Sequence, residues 1–176
     1  CEVPLDFHPR YQKTVKTYEY HILNREFPLP AYRLNAHFTY RPLDIARMQE
    51  AARYLEGEHD FQSFCAAGAQ VKTTVRTIYE LTVEKEGDLI VIRITGNGFL
   101  YNMVRIIVGS LVKVGCGFWE PEQIKEVLEA RDRSKAGPKA PAEGLTLISI
   151  EEETLPAVIR EENEHCLLYT SDAADE

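Results

Sequence analysis

Alternating polar and apolar positions mark the extended segments of the chain. Residues 17–23 alternate and are rich in aromatic and branched side chains, which predicts a strand. Residues 75–85 and 89–95 repeat this alternation on either side of an E-G-D turn signal, which predicts a β-hairpin with the odd-numbered residues of 75–83 on one side. The short apolar run 144–150 begins with a glycine and predicts a buried closing strand.

A three-to-four-residue spacing of apolar positions marks the helical segments. Residues 43–55 show this spacing and predict an amphipathic helix of about three turns. Residues 99–114 continue it over a longer apolar stretch, which two nearby glycines are expected to stop. Residues 121–131 begin with a proline, which the first helical turn accepts, and predict a third helix. Residues 27–30 contain two prolines and exclude regular structure there.

The order of these elements defines a fold class. Strand, helix, hairpin, helix, helix and strand predict an α+β domain, with a mainly antiparallel sheet and helices packed on one face. A length of 176 residues and a hydrophobic content of 44% fit one domain. We assign that domain to residues 1–153 and expect residues 154–176 to be a disordered acidic tail. Residues 166–176 look like a translated sequencing-library adapter, so we expect them not to be native.

The negative charge is concentrated at one end of the chain. The formal net charge is −8, but residues 1–141 hold 19 of the 20 Lys and Arg and 18 of the 28 Asp and Glu. The body is therefore close to neutral and can concentrate cations on one face. The scattered cysteines and histidines predict a reduced, cytoplasmic chain without a zinc site. No apolar run reaches the roughly 20 residues of a membrane-spanning helix, so no membrane association is expected.

Arg105 is the charged residue in an otherwise apolar helical segment. It ends the sequence G-N-G-F-L-Y-N-M-V-R (96–105), which leads from a strand into the longest predicted helix. A guanidinium among apolar neighbours is at least partly enclosed, and an enclosed cation requires an anion to offset its desolvation. That anion is either a structural carboxylate, or a catalytic carboxylate or phosphate. No upstream Asp of this chain is an obvious partner.

Aromatic and basic residues near the first strand are candidates for RNA recognition. Tyr18 and Tyr20 share one face of the strand, where they either pack in the core or form a platform for a displaced base with a phenol that transfers a proton. Arg10 and Lys16 precede or enter this strand, and Arg76 enters the hairpin. These three are candidate RNA-binding residues, although solvated charge is the usual role of such side chains.

The segment around His59 and Asp60 has two interpretations. A metal-hydrolase pair, or a nucleophile at Ser63, would need a second histidine at suitable spacing or a G-x-S-x-G elbow, and the sequence has neither. A turn followed by a packed aromatic pair, Phe61 and Phe64, is the simpler interpretation. A cofactor-free small-molecule hydrolase that uses His59 and Asp60 is kept as an alternative.

Several blocks in a fixed order carry a family resemblance. The blocks are residues 6–10, 16–20, 43–52, 57–64, 75–78, 96–109, 132–137 and 140–145. Together they resemble the C-terminal half of the tRNA pseudouridine synthase A family over about residues 1–153. The first residue is Cys1 rather than methionine, and together with the adapter-like segment 166–176 this indicates a gene fragment recovered without its 5′ half.

The resemblance implies an activity and roles for two residues. It implies isomerisation of uridine to pseudouridine at positions 38, 39 and 40 of the tRNA anticodon arm, by a homodimer, without metal or organic cofactor. The nucleophile in that family is an Asp in an R-T-D-x-G-V-H motif of the N-terminal half, and this chain has no such motif. By motif position, Tyr18 stacks on the target base and helps proton transfer, and Arg105 pairs with the nucleophilic Asp. We expect the chain by itself to be inactive; the rival interpretation is a non-catalytic RNA-binding or dimerisation module.

Overall fold

A computed structural model describes residues 14–68 and 71–152 of the chain. The elements that matter for function lie in the compact unit Val15–Ile150. The candidate RNA contact Arg10 and the predicted tail at 154–176 lie outside the described residues.

Six strands form one mixed sheet. The first strand, β1 (Thr14–Asn24), pairs antiparallel with β5 (Leu89–Gly96), which pairs antiparallel with β4 (Val75–Glu86). The sheet continues from β4 to the short antiparallel strand β3 (Gly57–Asp60). On the other side, β1 pairs in parallel with β2 (His37–Thr39) and also pairs with β6 (Leu145–Glu152). The predicted mainly antiparallel sheet is therefore confirmed.

Three helices cover one face of this sheet. They are α1 (Ile45–Arg53), α2 (Met103–Gly115) and α3 (Gln123–Ala130). Asp44 caps α1 by accepting a hydrogen bond from the Arg47 amide at 3.1 Å, which satisfies a first-turn donor. The α2 side chains join the buried sheet residues in one core, and the largest fully buried members on the sheet are Tyr20, Ile22, Ile90, Ile92 and Ile94. None of the helices in the described part of the chain is long and apolar enough to cross a membrane.

The opposite face of the sheet is polar. Thr17 and Thr95 share a hydrogen bond of 3.0 Å between their hydroxyls, and Arg93 donates from Nε to Glu19 at 2.9 Å. The hydrogen bond from Arg93 lowers the pKa of the Glu19 carboxyl below its usual range. Because side chains alternate along a strand, Tyr18 and Tyr20 lie on the face that the helices cover.

A β-bulge changes the alternation within β4. The register with β5 shifts between Ile78 and Glu80. Leu81 and Val83 are buried beyond the bulge, whereas Ile78 is buried and Tyr79 is 50% exposed before it. The prediction that the odd-numbered residues of 75–83 share one side is wrong, because one extra residue moves the following side chains to the other face.

The closing strand and the helix ends also differ from expectation. β6 is confirmed as a strand, but the prediction that it is buried is wrong, since Leu147, Ile148 and Ile150 are 44 to 53% exposed. Each helix is confirmed but is shorter than predicted. The α2 helix begins at Met103, because the preceding residue Asn102 has a left-handed backbone that does not continue a right-handed helix. The strands β2 and β3 were not predicted, and they are too short to show a period.

Candidate functional site

Tyr18 lies on β1 near the end of the sheet where β5 leads into the loop before α2. The side chain is half-buried on the helix-covered face of β1. Its ring meets Phe99 edge to face, with centroids 5.2 Å apart and planes at 88°. No hydrogen-bond partner for the Tyr18 hydroxyl lies within the described residues. Within that part of the chain, the ring is held by packing against Phe99.

Tyr20, two residues along the same face, has a structural role. It is fully buried, and its hydroxyl donates a hydrogen bond of 2.7 Å to the Pro141 carbonyl. Burial raises the pKa of this phenol well above its usual value, the charge of Glu143 raises it further, and the charge of Arg105 opposes the rise. Arg105 Nε and the Tyr20 hydroxyl donate to the carbonyls of the neighbouring residues Ala140 and Pro141, so the guanidinium lies near the same face of β1. Tyr20 is thus a core-packing residue, one of the two roles that the sequence left open for these tyrosines.

Arg105 lies in the first turn of α2 and is half-buried. Its Nε donates to the Ala140 carbonyl at 2.7 Å, and one terminal nitrogen donates to Asn102 Oδ1 at 3.3 Å. No Asp or Glu of the described residues forms an ion pair with it. Within that part of the chain, the structural-carboxylate interpretation of Arg105 is not met. The other terminal nitrogen has no hydrogen-bond partner among the described residues, so a guanidinium in this position can still donate to an anion.

One loop makes hydrogen bonds both to the helix that carries Arg105 and to the strand that carries Tyr18. We call residues 136–144 the bracing loop. On the α2 side, its Gly137 amide donates to the buried Ser110 hydroxyl at 2.9 Å, and its Ala140 amide donates to the Arg105 carbonyl at 3.0 Å. On the β1 side, the loop accepts from the Tyr20 hydroxyl and from the His21 amide. The loop therefore fixes the position of Arg105 relative to the tyrosine face of β1.

Glycines permit this close approach. A Cβ on Gly109 of α2 would overlap the Pro138 carbonyl oxygen of the bracing loop. A Cβ on Gly144 would lie 2.7 Å from both the His21 carbonyl oxygen and the Tyr20 ring. Real Cβ atoms do not approach other atoms so closely, so these two positions require glycine for packing.

The basic candidates lie at the same end of the sheet as Tyr18. Lys16 is on the same face of β1 and pairs with Gly96 of β5. Arg76 donates to the Thr73 and Val75 carbonyls, and its side chain lies beside Gly98 in the loop that also carries Phe99. Lys16, Tyr18, Arg76 and the beginning of α2 therefore converge on one end of the domain.

His59 and Asp60 are engaged in local structure. Asp60 accepts from the Thr74 hydroxyl and from the Gln62 amide, and its second oxygen lies 3.4 Å from Arg131 Nε. The His59 ring makes a hydrogen bond of 2.8 Å with the Glu56 carbonyl. These contacts favour the turn interpretation over the hydrolase.

Ser63 is a buried structural residue, and its replacement should cost stability. Its hydroxyl donates to the Val127 carbonyl and accepts from the Asp132 amide at 2.8 Å, which ties the end of α3 to the following turn. We expect Ser63→Ala to lower the free energy of unfolding by about 1–3 kcal/mol, because two backbone groups lose their partner. Denaturant unfolding measures this loss. Ser149→Ala, whose hydroxyl has no hydrogen-bond partner among the described residues, should change little; an equal loss in both variants would contradict the assignment.

Sequence reasoning missed the groups that support Arg105. Asn102 and the Ala140 carbonyl hold the guanidinium, and Gly109 and Gly144 admit the bracing loop. Gly109 lies within an apolar helical segment, and a glycine in such a position could have indicated close packing. A backbone carbonyl acceptor leaves no signal in the sequence.

Comparisons with known proteins define the class of this domain. A family model described as tRNA pseudouridine synthase matches residues 51–151. The tRNA pseudouridine synthase A of Thermoanaerobacter sp. (strain X514) is 49% identical over 150 residues, which are 85% of this chain and 61% of that protein. The enzyme of the same name from Brevibacillus brevis is 52% identical over 147 residues, 83% of this chain and 60% of that protein. The tRNA pseudouridine synthase A 2 of Clostridium perfringens is 51% identical over 146 residues, again 83% and 60%.

The residues that the family model matches include α2 and the bracing loop. The chain belongs to the tRNA pseudouridine synthase family. It spans about three fifths of the length of the curated relatives that it matches.

Proposed function

We propose that this chain supplies the C-terminal half of an active site that isomerises uridine to pseudouridine in the anticodon arm of tRNA, at positions 38, 39 and 40. Tyr18 stacks on the target base and transfers a proton, and Arg105 pairs with a nucleophilic Asp from an R-T-D-x-G-V-H segment. Lys16, Arg76 and Arg10 contact RNA phosphates. The complete enzyme acts in the cytoplasm as a homodimer.

The observation that carries this proposal is that the half-buried guanidinium of Arg105 has no carboxylate partner among the described residues. A half-buried guanidinium is costly unless an anion pairs with it, and the described residues offer it only a carbonyl and an amide oxygen. A carboxylate from another segment would complete its environment. The Tyr18 hydroxyl has no hydrogen-bond partner among the described residues, and its ring lies on the tyrosine face that Arg105 approaches, where a base turned out of its stack could rest against the ring.

The chemistry needs few further groups. Isomerisation breaks the bond between N1 of the base and C1′ of the ribose and forms a bond between C5 and C1′. The proton leaves C5, and N1 gains a proton, so atoms and electrons balance without an oxidant or a metal. A carboxylate nucleophile, a stacking ring and a positioned proton-transfer group supply these needs.

Replacing Tyr18 by phenylalanine tests the proposal. In the protein that also carries the R-T-D-x-G-V-H segment, we expect Tyr18→Phe to slow tritium release from tRNA labelled at C5 of uridine by about 100-fold, because a proton-transfer group contributes about this factor. The melting temperature should stay unchanged, since the Tyr18 hydroxyl has no hydrogen bond within the described part of the chain.

Two controls separate the possible outcomes. Tyr54→Phe removes a hydroxyl from another half-buried tyrosine that packs against the core, and it should leave the rate unchanged. The chain as printed should release no tritium, and release by it would show that another carboxylate serves. A wild-type rate for Tyr18→Phe would overturn the proton-transfer role, and binding of tRNA without any release by the completed protein would favour the non-catalytic RNA-binding module.

A further inference from the structure

Asn102 has an unusual backbone at the beginning of α2. Its φ of 59° and ψ of 13° place it in the left-handed region, which it shares with Arg131 among the non-glycine residues of the described chain. This region is unfavourable for L-residues, and Asn is one of the few that tolerate it. A residue in this conformation next to a candidate site points to a constraint other than helix formation.

The side chain of Asn102 does not cap the helix. Asn at an N-cap position ordinarily accepts a hydrogen bond from a first-turn amide, and here it makes no such bond. Its Oδ1 instead accepts from a terminal nitrogen of Arg105 at 3.3 Å. The two residues are three positions apart, and this spacing places them on the same side of the helix. The left-handed backbone thus aims an oxygen at the guanidinium rather than at the helix.

Two acceptors together fix the guanidinium plane. The Ala140 carbonyl holds Nε and Asn102 holds one terminal nitrogen, so rotation about the end of the side chain is blocked. The second terminal nitrogen has no partner within the described residues. A single acceptor would leave the planar group free to turn about its bond to that acceptor.

We infer that Asn102 is a positioning residue that fixes the plane of Arg105 for pairing with the catalytic carboxylate. This inference rests on the proposed function. Asn is suited to the task because it accepts a hydrogen bond without bringing a charge. An Asp at this position would itself pair with Arg105 and compete with the nucleophile.

Two variants test this role in the protein that carries the R-T-D-x-G-V-H segment. Asn102→Gly keeps the left-handed backbone but removes the acceptor, and kcat for tritium release should fall about tenfold with KM nearly unchanged. Asn102→Asp is close to isosteric and should lower kcat at least as much. In both, the acidic limb of the pH–rate profile should move to higher pH, because a less well paired nucleophile has a higher pKa. Gln49→Ala, which removes an amide hydrogen bond from α1 to the Val83 carbonyl of β4, should change neither kcat nor the profile.

The outcomes separate positioning from a structural role. A purely structural Asn102 would tolerate Asp with wild-type kcat and would leave the pH profile in place, and either result would overturn the inference. If Arg105→Ala abolishes activity while both Asn102 variants behave as wild type, the inference fails and the proposed function stands. If Arg105→Ala is fully active, the proposed role of Arg105 is wrong, and the inference about Asn102 is wrong with it.

Discussion

Replacing Arg105 by alanine should reduce tritium release from labelled tRNA by roughly 100- to 1,000-fold in the protein that carries the R-T-D-x-G-V-H segment. Removing one partner of an enclosed ion pair costs about 3–5 kcal/mol, because the remaining charge is left without compensation. In the proposed site that charge is the nucleophilic carboxylate, whose pKa would rise without the guanidinium. Single-turnover kinetics measure the chemical step directly.

Arg47→Ala is the matched control for this loss. Arg47 also donates to a backbone carbonyl, that of Trp119 at 2.9 Å, but it pairs with Glu120 at the other end of α2. Arg47→Ala should lower the free energy of unfolding, because these contacts are lost, and should leave the rate of tritium release unchanged. Arg105→Lys keeps the charge but loses the planar fork, so an intermediate rate is expected. If Arg105→Ala reacts within a few fold of wild type, the pairing role is wrong.

The sequence predicted the elements because their periods are long and regular. The hairpin strands and α2 each carry enough alternating or helically spaced residues to define a period. The predictions failed where one extra residue shifts the alternation of side chains along a strand, and where a strand is too short to show a period. The bulge at Ile78 and Glu80 reverses the side-chain alternation, and β4 has no proline or glycine near this position that would have indicated it. The strand β3 has only the four residues Gly57–Asp60.

Some residues of the candidate site could likewise be identified from the sequence, and others could not. Arg105 could be identified from the sequence because enclosing a charge among apolar side chains costs desolvation free energy, which a partner must offset. The structural role of Tyr20 could not be separated from the proposed role of Tyr18, because both lie on the same strand face and differ in burial and in the contact with the Pro141 carbonyl. The contribution of the bracing loop depends on contacts between segments far apart in sequence, which no local pattern encodes.

Replacing Gly109 by alanine should destabilise the domain, although helix propensity predicts the opposite. Alanine in a helix interior is favoured over glycine by about 1 kcal/mol. The added methyl group would overlap the Pro138 carbonyl oxygen and would lie 2.9 Å from its carbon. Relieving that overlap requires moving the bracing loop away from α2, and overpacking of this kind costs about 1–3 kcal/mol or more. We expect a net loss of about 2 kcal/mol and a melting temperature lower by roughly 4–8 °C.

The same variant should also slow the reaction, because the bracing loop carries the carbonyl that holds Arg105. A displaced Ala140 would lengthen its 2.7 Å contact with Nε and release the guanidinium from its plane. Gly98→Ala is the control, since its new methyl group meets only the Arg76 side chain, at 3.6 Å. That variant should melt close to wild type. A higher melting temperature for Gly109→Ala would mean that helix propensity decides at this position and that the loop does not pack against α2 as described.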